Sequence, residues 1–531
     1  MLPASIPAAV FEAGRRFGNA IAIVDDSTRT SFAALARETR RAARAFIAAG
    51  LRKGDRFAVW APNMWEWVAA AAGGQAAAGV LIPLNTRLRG REVAGVINRA
   101  RARFLVSIGD FLGVDYPSML DTHVMPTLER TILLGTSLAP LDGNHQSWDD
   151  FLASGNDVNE AELDARMAAL DPADLADIMF TSGTTGDPKG AVFNHRQSLL
   201  GAQTWLDLSA VREGDRYMAF GPFSHTASYK AGWVTTMLCG CTLYAKNRLD
   251  PASIMALISS ERINFMPAPP TILQSILAHA DRGKYDLSSL EFISTGSAVV
   301  PIEMVRRLKL ELGVDQVATA YGLTEVCGTA TFTRPGNPLE LVANTAGRAV
   351  PGVEIRCVRP DGTGTDTGEP GEVLVRADKL MLGYFENPKA TAEAIDEDGW
   401  LHTGDIGLLD AGGNLKITDR LKDMYIVGGF NCYPAEIERD LAGLPGIMHC
   451  AVIGVPDERL GEVGRAYIVL APEATLTEAE IMAWCKQNLA NYKAPRSVVF
   501  VDALPLNATG KVMKHELRAK ANIRRQEALL S

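Results

Sequence analysis

The stretch Thr181-Ser-Gly-Thr-Thr-Gly-Asp-Pro-Lys-Gly190 follows an apolar run, Asp177-Ile-Met-Phe180, which is typical of a buried strand. The stretch supplies four hydroxyl groups, three glycines and one lysine. Glycine lets backbone N–H groups approach an anion, hydroxyl groups donate further hydrogen bonds, and Lys189 adds a positive charge. The sequence therefore predicts a phosphate-binding loop directly after a strand.

A Walker-type loop and a surface turn are the alternatives for this stretch. The Walker-type pattern G-x-x-x-x-G-K-S/T fails, because counting from Gly183 puts Pro188 in place of the second glycine and Gly190 after the lysine. A Gly/Thr-rich surface turn remains an alternative on composition alone.

Bulk composition restricts the class of protein. A chain of 531 residues exceeds what one hydrophobic core usually supports, so we expect at least two domains. The formal charge of −9 argues against a nucleic-acid binder, which would need a basic face. The seven cysteines are odd in number and lack zinc-site spacing, and the N-terminus has no apolar signal stretch. These features predict reduced thiols and a cytoplasmic location.

Short apolar runs alternate with Ala-rich helical patterns over the first 350 or so positions. The runs predicted as strands are Arg56–Trp60, Gly79–Leu84, Phe104–Ser107, Ile178–Phe180 and Gln316–Ala320. Such alternation is typical of an α/β fold with layered parallel sheets.

The pattern of predicted secondary structure changes twice after this region. From Gly347 to Asp410, short strand-like runs separated by turn clusters predict a small antiparallel β unit, with a hairpin loop in Asp361–Gly371. After about Arg420, a helix at Pro434–Ala442, strands at Cys450–Val455 and Ala466–Leu470, and a helix at Glu478–Leu489 predict a small α+β domain. We therefore predict domains over residues 1–420 and 421–531.

One uncharged segment, Trp67 to Leu84, has about the length of a membrane span. It consists mainly of Ala and Gly and contains Gln75 and Pro83, so its tendency to insert into a bilayer is weak. A buried helix over about Trp65–Ala78, followed by a strand at Val80–Leu84, is the better interpretation. We predict no integral membrane segment.

The loop resembles the signature of the adenylate-forming (ANL) superfamily, which includes acyl-CoA synthetases, peptide-synthetase adenylation domains and beetle luciferases. Four further stretches are similar to the family's motifs, in the family's order. They are Ser294-Thr-Gly-Ser-Ala298, Tyr321-Gly-Leu-Thr-Glu325, Trp400-Leu-His-Thr-Gly-Asp405 and Pro505-Leu-Asn-Ala-Thr-Gly-Lys511. The resemblance extends over nearly the whole chain and implies a mobile C-terminal domain.

The resemblance implies binding sites for ATP and Mg²⁺. In it, Tyr321 stacks on adenine, Asp405 and Arg420 contact the ribose, and Thr184 and Glu325 hold the metal, which prefers hard oxygen ligands. The ATP-binding residues implied are Thr181, Ser182, Gly183, Thr184, Thr185, Gly186, Lys189, Gly296, Ser297, Ala298, Ala320, Tyr321, Gly322, Thr324, Asp405, Arg420 and Lys511.

The resemblance also implies two half-reactions at one site. Lys511 would offset negative charge while the acid is adenylated, and the catalytic residues implied are Lys511, Glu325, His225 and Thr184. Lys422 would be the hinge about which the small domain turns. After rotation, Gly428 and Gly429 would line the channel for coenzyme A, where glycines leave room for a narrow thiol arm.

The acyl pocket is predicted from Pro222-Phe-Ser-His225 and the following helix. The residues implied are His225, Tyr229, Lys230, Trp233, Thr295 and Gly296. Since burying an unpaired ammonium is costly, an inward-facing Lys230 would indicate an acid with a ketone, hydroxyl or second carboxylate. An outward-facing Lys230 would carry no such information, and a packed core histidine is the alternative for His225.

The runs Ser224–Gly232 and Leu421–Asn431 are similar to actinobacterial ligases that activate the propanoate side chain of steroid C/D-ring remnants. The predicted activity is ATP-dependent formation of an acyl-CoA from a fatty acid or a ring-fused propanoate. The alternatives are an enzyme that loads a carrier protein or stops at the acyl-adenylate, a luciferase-type oxidoreductase, and a non-catalytic nucleotide-binding protein. The resemblance also leaves a homodimer open.

Overall fold

The computed structural model describes residues 2–26, 28–135, 145–181, 188–247, 250–296, 300–420, 423–427, 430–457, 459–489, 491–506 and 512–521. The strands in these ranges are β1 (Ile21–Val24), β2 (Arg29–Ser31), β3 (Arg56–Trp60), β4 (Val80–Pro83), β5 (Ala102–Ile108), β6 (Asp110–Phe111), β7 (Val114–Asp115), β8 (Arg130–Leu134), β9 (His145–Ser147), β10 (Leu175–Thr181), β11 (Lys189–Asn194), β12 (Arg216–Ala219), β13 (Thr242–Ala245), β14 (Phe265–Pro267), β15 (Phe292–Gly296), β16 (Gln316–Leu323), β17 (Gly328–Phe332), β18 (Arg348–Ala349), β19 (Val353–Val358), β20 (Gly371–Ala377), β21 (Gly383–Tyr384), β22 (Leu401–Leu409), β23 (Leu415–Arg420), β24 (Tyr425–Val427), β25 (Phe430–Cys432), β26 (Ile447–Asp457), β27 (Gly461–Leu470) and β28 (Ser497–Phe500).

The α-helices in the same ranges are α1 (Ile6–Phe17), α2 (Phe32–Ala48), α3 (Trp65–Ala76), α4 (Gly90–Ala100), α5 (Trp148–Ser154), α6 (Glu160–Ala168), α7 (His195–Ser209), α8 (Thr226–Ser228), α9 (Thr235–Cys239), α10 (Pro251–Glu261), α11 (Pro270–Ala278), α12 (Ile302–Leu312), α13 (Leu339–Asn344), α14 (Pro388–Ala394), α15 (Pro434–Ala442) and α16 (Glu478–Asn488). A π-helical turn, Tyr229–Val234, joins α8 to α9.

Two large sheets, parallel through their centres, dominate the first part of the chain. One has the order β18-β17-β16-β15-β14-β12-β13-β1-β2, and the other has the order β21-β11-β10-β4-β3-β5-β8-β9. Their central strands are short and buried on both faces, as β3 and β4 illustrate, which is why they read as continuous apolar runs. The predicted α/β class is confirmed, and each of the five predicted strands is present.

The predicted small antiparallel unit is the four-stranded sheet β19-β20-β22-β23. Adjacent strands in it run antiparallel, and the segment Asp361–Gly371 connects β19 to β20 as the predicted hairpin loop. The sheet lies at residues 353–420, slightly later in the chain than the composition suggested.

The predicted C-terminal α+β arrangement is also present. The order β25-β24-β27-β26, with β28 beside β27, forms one sheet, and α15 and α16 begin at the predicted residues. Apolar side chains of this region form clusters that begin at Tyr425, whereas the large clusters of the preceding region end at Leu415. A domain boundary near Arg420 remains a prediction.

Helix α3 explains the uncharged segment of the sequence. Every residue from Trp67 to Ala76 is buried, and β4 follows as predicted. Glycine allows the close packing, because a Cβ at Gly73 would lie 2.6 Å from the Ala42 Cβ and one at Gly74 would overlap the Phe57 ring. Of the helices that the structure describes, none is long and apolar enough to cross a membrane.

The close packing of α3 gives a testable contrast between two helical glycines. Gly74→Ala should lower the free energy of unfolding by about 1–3 kcal/mol, because the new methyl group overpacks the core. Gly95→Ala in α4 should raise it by about 0.5–1 kcal/mol, because a Cβ at Gly95 meets no atom within 4 Å and alanine favours helix. Urea unfolding of both variants measures the difference, and shifts of the same sign would contradict this account.

Candidate active site

The predicted phosphate loop connects two antiparallel strands at the end of the second large sheet. β10 ends at Thr181, which pairs with Lys189 at the start of β11, and the Thr181 hydroxyl donates to the Lys189 carbonyl at 3.4 Å. Arg99 donates to the Pro188 carbonyl at 2.6 Å and so fixes the exit from the loop. The predicted residues Ser182, Gly183, Thr184, Thr185 and Gly186 lie outside the described residues.

Two glycines let neighbouring strands of the first large sheet approach closely. Gly296 ends β15 opposite Ala320 of β16, where a Cβ would lie 2.7 Å from the Ala320 carbonyl oxygen. A Cβ at Gly322 would overlap the Gly328 carbonyl oxygen. Ligands of open α/β sheets bind beyond the carboxyl ends of parallel strands, which is where these residues lie. Ser297 and Ala298 are outside the described residues.

Tyr321 connects the first large sheet to the four-stranded sheet. Its hydroxyl donates to Asp405 Oδ2 at 2.7 Å, a short hydrogen bond to a carboxylate on β22. Asp405 is only 4% exposed and pairs in the β-ladder with the backbone of Arg420. The predicted adenine residue and the predicted ribose residue are thus in direct contact. The side-chain role predicted for Arg420 lies outside what the structure describes.

Glu325 lies on a one-turn 3₁₀ helix, Thr324–Val326, directly after β16. Its Oε1 accepts a hydrogen bond from the Tyr384 hydroxyl at 2.9 Å, and its backbone carbonyl accepts one from the Met381 N–H at 2.8 Å. The Lys189 ammonium lies 5.1 Å from the centre of the Tyr384 ring. Tyr384 therefore contacts both the predicted metal ligand and the predicted phosphate lysine.

The donor set fits a magnesium ion that arrives with its nucleotide. Among the described residues, no group of three or more His, Cys, Asp and Glu side chains could hold a metal ion by itself. Mg²⁺ commonly uses one or two protein carboxylates and completes its shell with phosphate oxygens and water. The half-buried Glu325 carboxylate, close to the exit of the phosphate loop, suits that arrangement.

Lys379 bonds from the protein interior to β17, the strand that follows the Glu325 turn. It is 2% exposed, and its Nζ donates to the Thr329 carbonyl of β17 at 2.7 Å. Burial disfavours the ammonium form and lowers the Lys379 pKa to about 8. The segment from Lys379 to Tyr384 thus holds Glu325 through a backbone N–H and a phenol, and it holds the following strand through the Lys379 side chain.

His225 caps the short helix α8. Its Nδ1 accepts from the Ala227 N–H at 3.3 Å, which assigns the proton of the neutral ring to Nε2. Burial lowers the His225 pKa, which favours the neutral ring. A neutral imidazole can orient an acyl group by a hydrogen bond but adds no positive charge there.

A buried ion pair lies between β10 and the π-helical turn Tyr229–Val234. The Lys230 Nζ approaches Asp177 Oδ1 of β10 at 3.0 Å, and both side chains have no exposed surface. The two groups are close, although they are not aligned for a hydrogen bond. Ser198 and Tyr229 donate to Asp177 Oδ2 at 3.0 and 3.3 Å. Because the carboxylate is charged and buried, these contacts offset much of its desolvation.

This geometry corrects the prediction that an inward-facing Lys230 would indicate an acid with a further polar group. Lys230 does face inward, but it is paired with Asp177 and its Nζ lies 3.5 Å from the centre of the Phe193 ring, so it gives no indication of a polar acid. Tyr229 and Trp233 stack on each other at 5.2 Å, and both are fully buried. The structure gives these three side chains a packing role, and their contact with the acyl group remains a prediction.

Four predicted residues of the C-terminal part, Lys422, Gly428, Gly429 and Lys511, lie outside the described residues. Conversely, sequence reasoning missed Tyr384, Lys379 and Asp177. Asp177 stands in an otherwise apolar strand, Ala176–Phe180, and a charge in such a run is a usable signal. Nothing in the local pattern distinguishes Tyr384 or Lys379.

The chain is similar to known proteins along nearly its whole length. Residues 10–385 match the model of the AMP-binding enzyme family, and residues 436–511 match that of the AMP-binding enzyme C-terminal domain. The chain is 47% identical over 520 residues, covering 97% of this chain and 98% of the relative, to the 3-[(3aS,4S,7aS)-7a-methyl-1,5-dioxo-octahydro-1H-inden-4-yl]propanoyl:CoA ligase of Rhodococcus jostii (strain RHA1). It is 44% identical, with the same coverage of both chains, to a ligase of that name from Mycobacterium tuberculosis (strain ATCC 25618 / H37Rv).

A solved structure has the same fold. The crystal structure of an anthranilate CoA ligase in complex with anthranoyl-AMP superimposes with a TM-score of 0.88 at 27% sequence identity, covering 98% of each chain.

The buried pair of Lys230 and Asp177 predicts that the stability of the fold depends on keeping both charges or neither. Lys230→Met should lower the free energy of unfolding by about 3–5 kcal/mol, because it leaves the Asp177 carboxylate buried without its cation. Lys230→Met combined with Asp177→Asn should regain most of that loss, because the unpaired charge is gone. Chemical denaturation measures both variants.

Lys246, which pairs with the exposed Asp26 at 3.2 Å, offers a matched control. Lys246→Met should cost at most about 1 kcal/mol. An equally mild effect of Lys230→Met, or a double variant as unstable as the single one, would contradict the account.

The lowered pKa of the buried Lys379 ammonium should make the stability of the fold depend on pH. Its folded-state pKa of about 8 lies below the ordinary value of 10.5, so below pH 8 the ammonium is charged in both states and the burial penalty is complete. Between these values the unfolded chain binds more protons, so stability rises with pH, by on the order of 3 kcal/mol relative to Lys379→Met. Unfolding of both proteins from pH 7 to 10.5 measures this, and parallel profiles would refute it.

Proposed function

Since this chain belongs to the AMP-binding enzyme family and is an ATP-dependent acid–CoA ligase that uses Mg²⁺, we propose that its acid is a propanoate on a methylated bicyclic dione. The observation that carries this proposal is 44–47% identity, over 97% of the chain, to two ligases named for that acyl group. Such an acid is a steroid remnant that retains two rings and two ketones.

The proposed reaction has two steps at one site. A carboxylate oxygen of the acid attacks the α-phosphorus of ATP, and pyrophosphate leaves. The coenzyme A thiol then attacks the carbonyl carbon of the acyl-adenylate, AMP leaves, and the thiol proton passes to solvent. In this proposal the protein mainly positions reactants and offsets charge.

We assign the adenylation step to residues on both sides of the predicted boundary at Arg420. Lys189 and the loop before it would hold the β- and γ-phosphates, Glu325 would hold Mg²⁺, and Asp405 would hold the ribose. Lys511 would reach the reacting oxygen and α-phosphate. The second step would bring Gly428 and Gly429 to the thiol channel by rotation at Lys422. A cytoplasmic location and a homodimer remain predictions.

Thr295 is a candidate for recognising a ketone of the acid. It precedes Gly296 at the end of β15, and its residue is 4% exposed. Its hydroxyl makes no hydrogen bond to any residue that the structure describes. Because a buried unpaired hydroxyl is unfavourable, a ligand carbonyl is a suitable acceptor. A hydrophobic pocket alone would discriminate poorly between a ketone and the corresponding methylene.

A carboxylate panel tests the proposal. Formation of AMP, with ATP, Mg²⁺ and coenzyme A present, should have its highest kcat/KM with the bicyclic dione propanoate, at least about tenfold above cyclohexylpropanoate and octanoate. The thioester, measured by mass spectrometry, should require coenzyme A. Preference for octanoate would refute the substrate, and transfer only to a carrier protein would refute the acceptor.

Thr295→Val tests whether the enzyme recognises a ketone of the acid or only the shape of its rings. The variant should lose about tenfold in kcat/KM with the dione, corresponding to about 1.4 kcal/mol, and little with the ketone-free bicyclic acid. Equal losses with both acids would show that Thr295 does not bind a ketone, while leaving the panel result intact.

A further inference from the structure

Tyr384 stands between the two charged groups that the ATP site needs. It is the second residue of β21, next to β11 of the phosphate loop and across from the Glu325 turn. We propose that Tyr384 is a positioning residue that holds the Glu325 carboxylate and the Lys189 ammonium apart and ready for Mg²⁺ and phosphate. This inference rests on the proposed role of Glu325 as a metal ligand.

Tyr384 orients the carboxylate of Glu325. The Tyr384 hydroxyl donates to Oε1 of Glu325 at 2.9 Å, and the bond fixes the plane of the carboxylate while leaving Oε2 for a metal ion. Groups that hydrogen-bond a metal-ligating side chain are typically worth 10–100-fold in metal affinity. A neutral phenol gives this support without neutralising the charge of Glu325.

The backbones of Tyr384 and Glu325, the two partners of this bond, are both held by hydrogen bonds. Tyr384 pairs with Ala191 in the β-ladder, and its N–H donates to the Thr391 hydroxyl at 2.9 Å. The Glu325 carbonyl accepts from Met381, three residues before Tyr384 in the same segment. These backbone contacts place Tyr384 and Glu325 so that their two side chains reach each other.

Tyr384 also lies between the charges of Lys189 and Glu325. Lys189 lies 5.1 Å from the centre of the Tyr384 ring, an attractive cation–π distance. Within the described residues no ion pair joins Lys189 to Glu325. A direct pair between them would neutralise both groups and would have to break whenever Mg²⁺ and ATP bind. In this proposal the Tyr384 side chain, which contacts both groups, keeps them from pairing.

Removal of the phenol hydroxyl tests the proposal directly. Tyr384→Phe keeps the ring beside Lys189 and removes only the hydrogen bond to Glu325. It should therefore raise the Mg²⁺ concentration for half-maximal acid-dependent ATP–pyrophosphate exchange about tenfold, with the KM of the acid unchanged. Mn²⁺ binding to the enzyme with a non-hydrolysable ATP analogue, measured by electron paramagnetic resonance, should weaken by the same factor. Tyr384→Leu should also raise the KM of ATP.

Tyr116→Phe is the matched control, because the Tyr116 hydroxyl donates to the Thr86 carbonyl at the same 2.9 Å and not to Glu325. It should leave the Mg²⁺ dependence unchanged. A Tyr384→Phe enzyme with the wild-type Mg²⁺ and Mn²⁺ behaviour, or an equal shift in Tyr116→Phe, would overturn the proposal.

Failure of this inference can be told apart from failure of the proposed function. Exchange can be measured with any acid that the enzyme accepts, so a different acid preference leaves the test of Tyr384 intact. Glu325→Gln should abolish most of the Mn²⁺ binding. If Glu325→Gln binds Mn²⁺ like the wild type, the metal role of Glu325 fails and the role of Tyr384 fails with it.

Discussion

A tyrosine hydroxyl that donates to a carboxylate joins the sheets at the site, and this contact occurs twice. Tyr384 of the eight-stranded sheet donates to Glu325 beside the nine-stranded sheet, and Tyr321 of the nine-stranded sheet donates to Asp405 of the four-stranded sheet. The site therefore lies where three separate sheets meet. Each carboxylate is oriented by a neutral donor, so it keeps its negative charge for a metal ion or a ribose.

The charged groups of this region fall into two kinds. Asp177 and Lys230 are fully buried and form an ion pair, so neither charge is available to a ligand, and the pair connects β10 with the π-helical turn Tyr229–Val234. Lys189 and Glu325 are half-buried, and Tyr384 contacts both of them. An acid–CoA ligase needs this division, since its substrates bring several negative charges and a divalent cation of their own.

The sequence was sufficient for features that depend on local patterns. Helix α15 and the strand that precedes the phosphate loop follow from hydrophobic periodicity, and the order of the glycine- and threonine-rich motifs indicated the ATP site. It could not show that Lys230 pairs with Asp177, because the two residues are distant in the chain and only the packing of a helix on a sheet brings them together. The same holds for Tyr384 and Glu325, which lie on different sheets.

If these three sheets form one site for ATP and Mg²⁺, a crystal structure with a non-hydrolysable ATP analogue and Mn²⁺ should show all parts of the site occupied together. The anomalous signal should give a manganese peak within coordination distance of a Glu325 carboxylate oxygen. Phosphates should lie beside Lys189, and ribose hydroxyls should lie at Asp405. A manganese peak away from Glu325, with the nucleotide bound elsewhere, would contradict it.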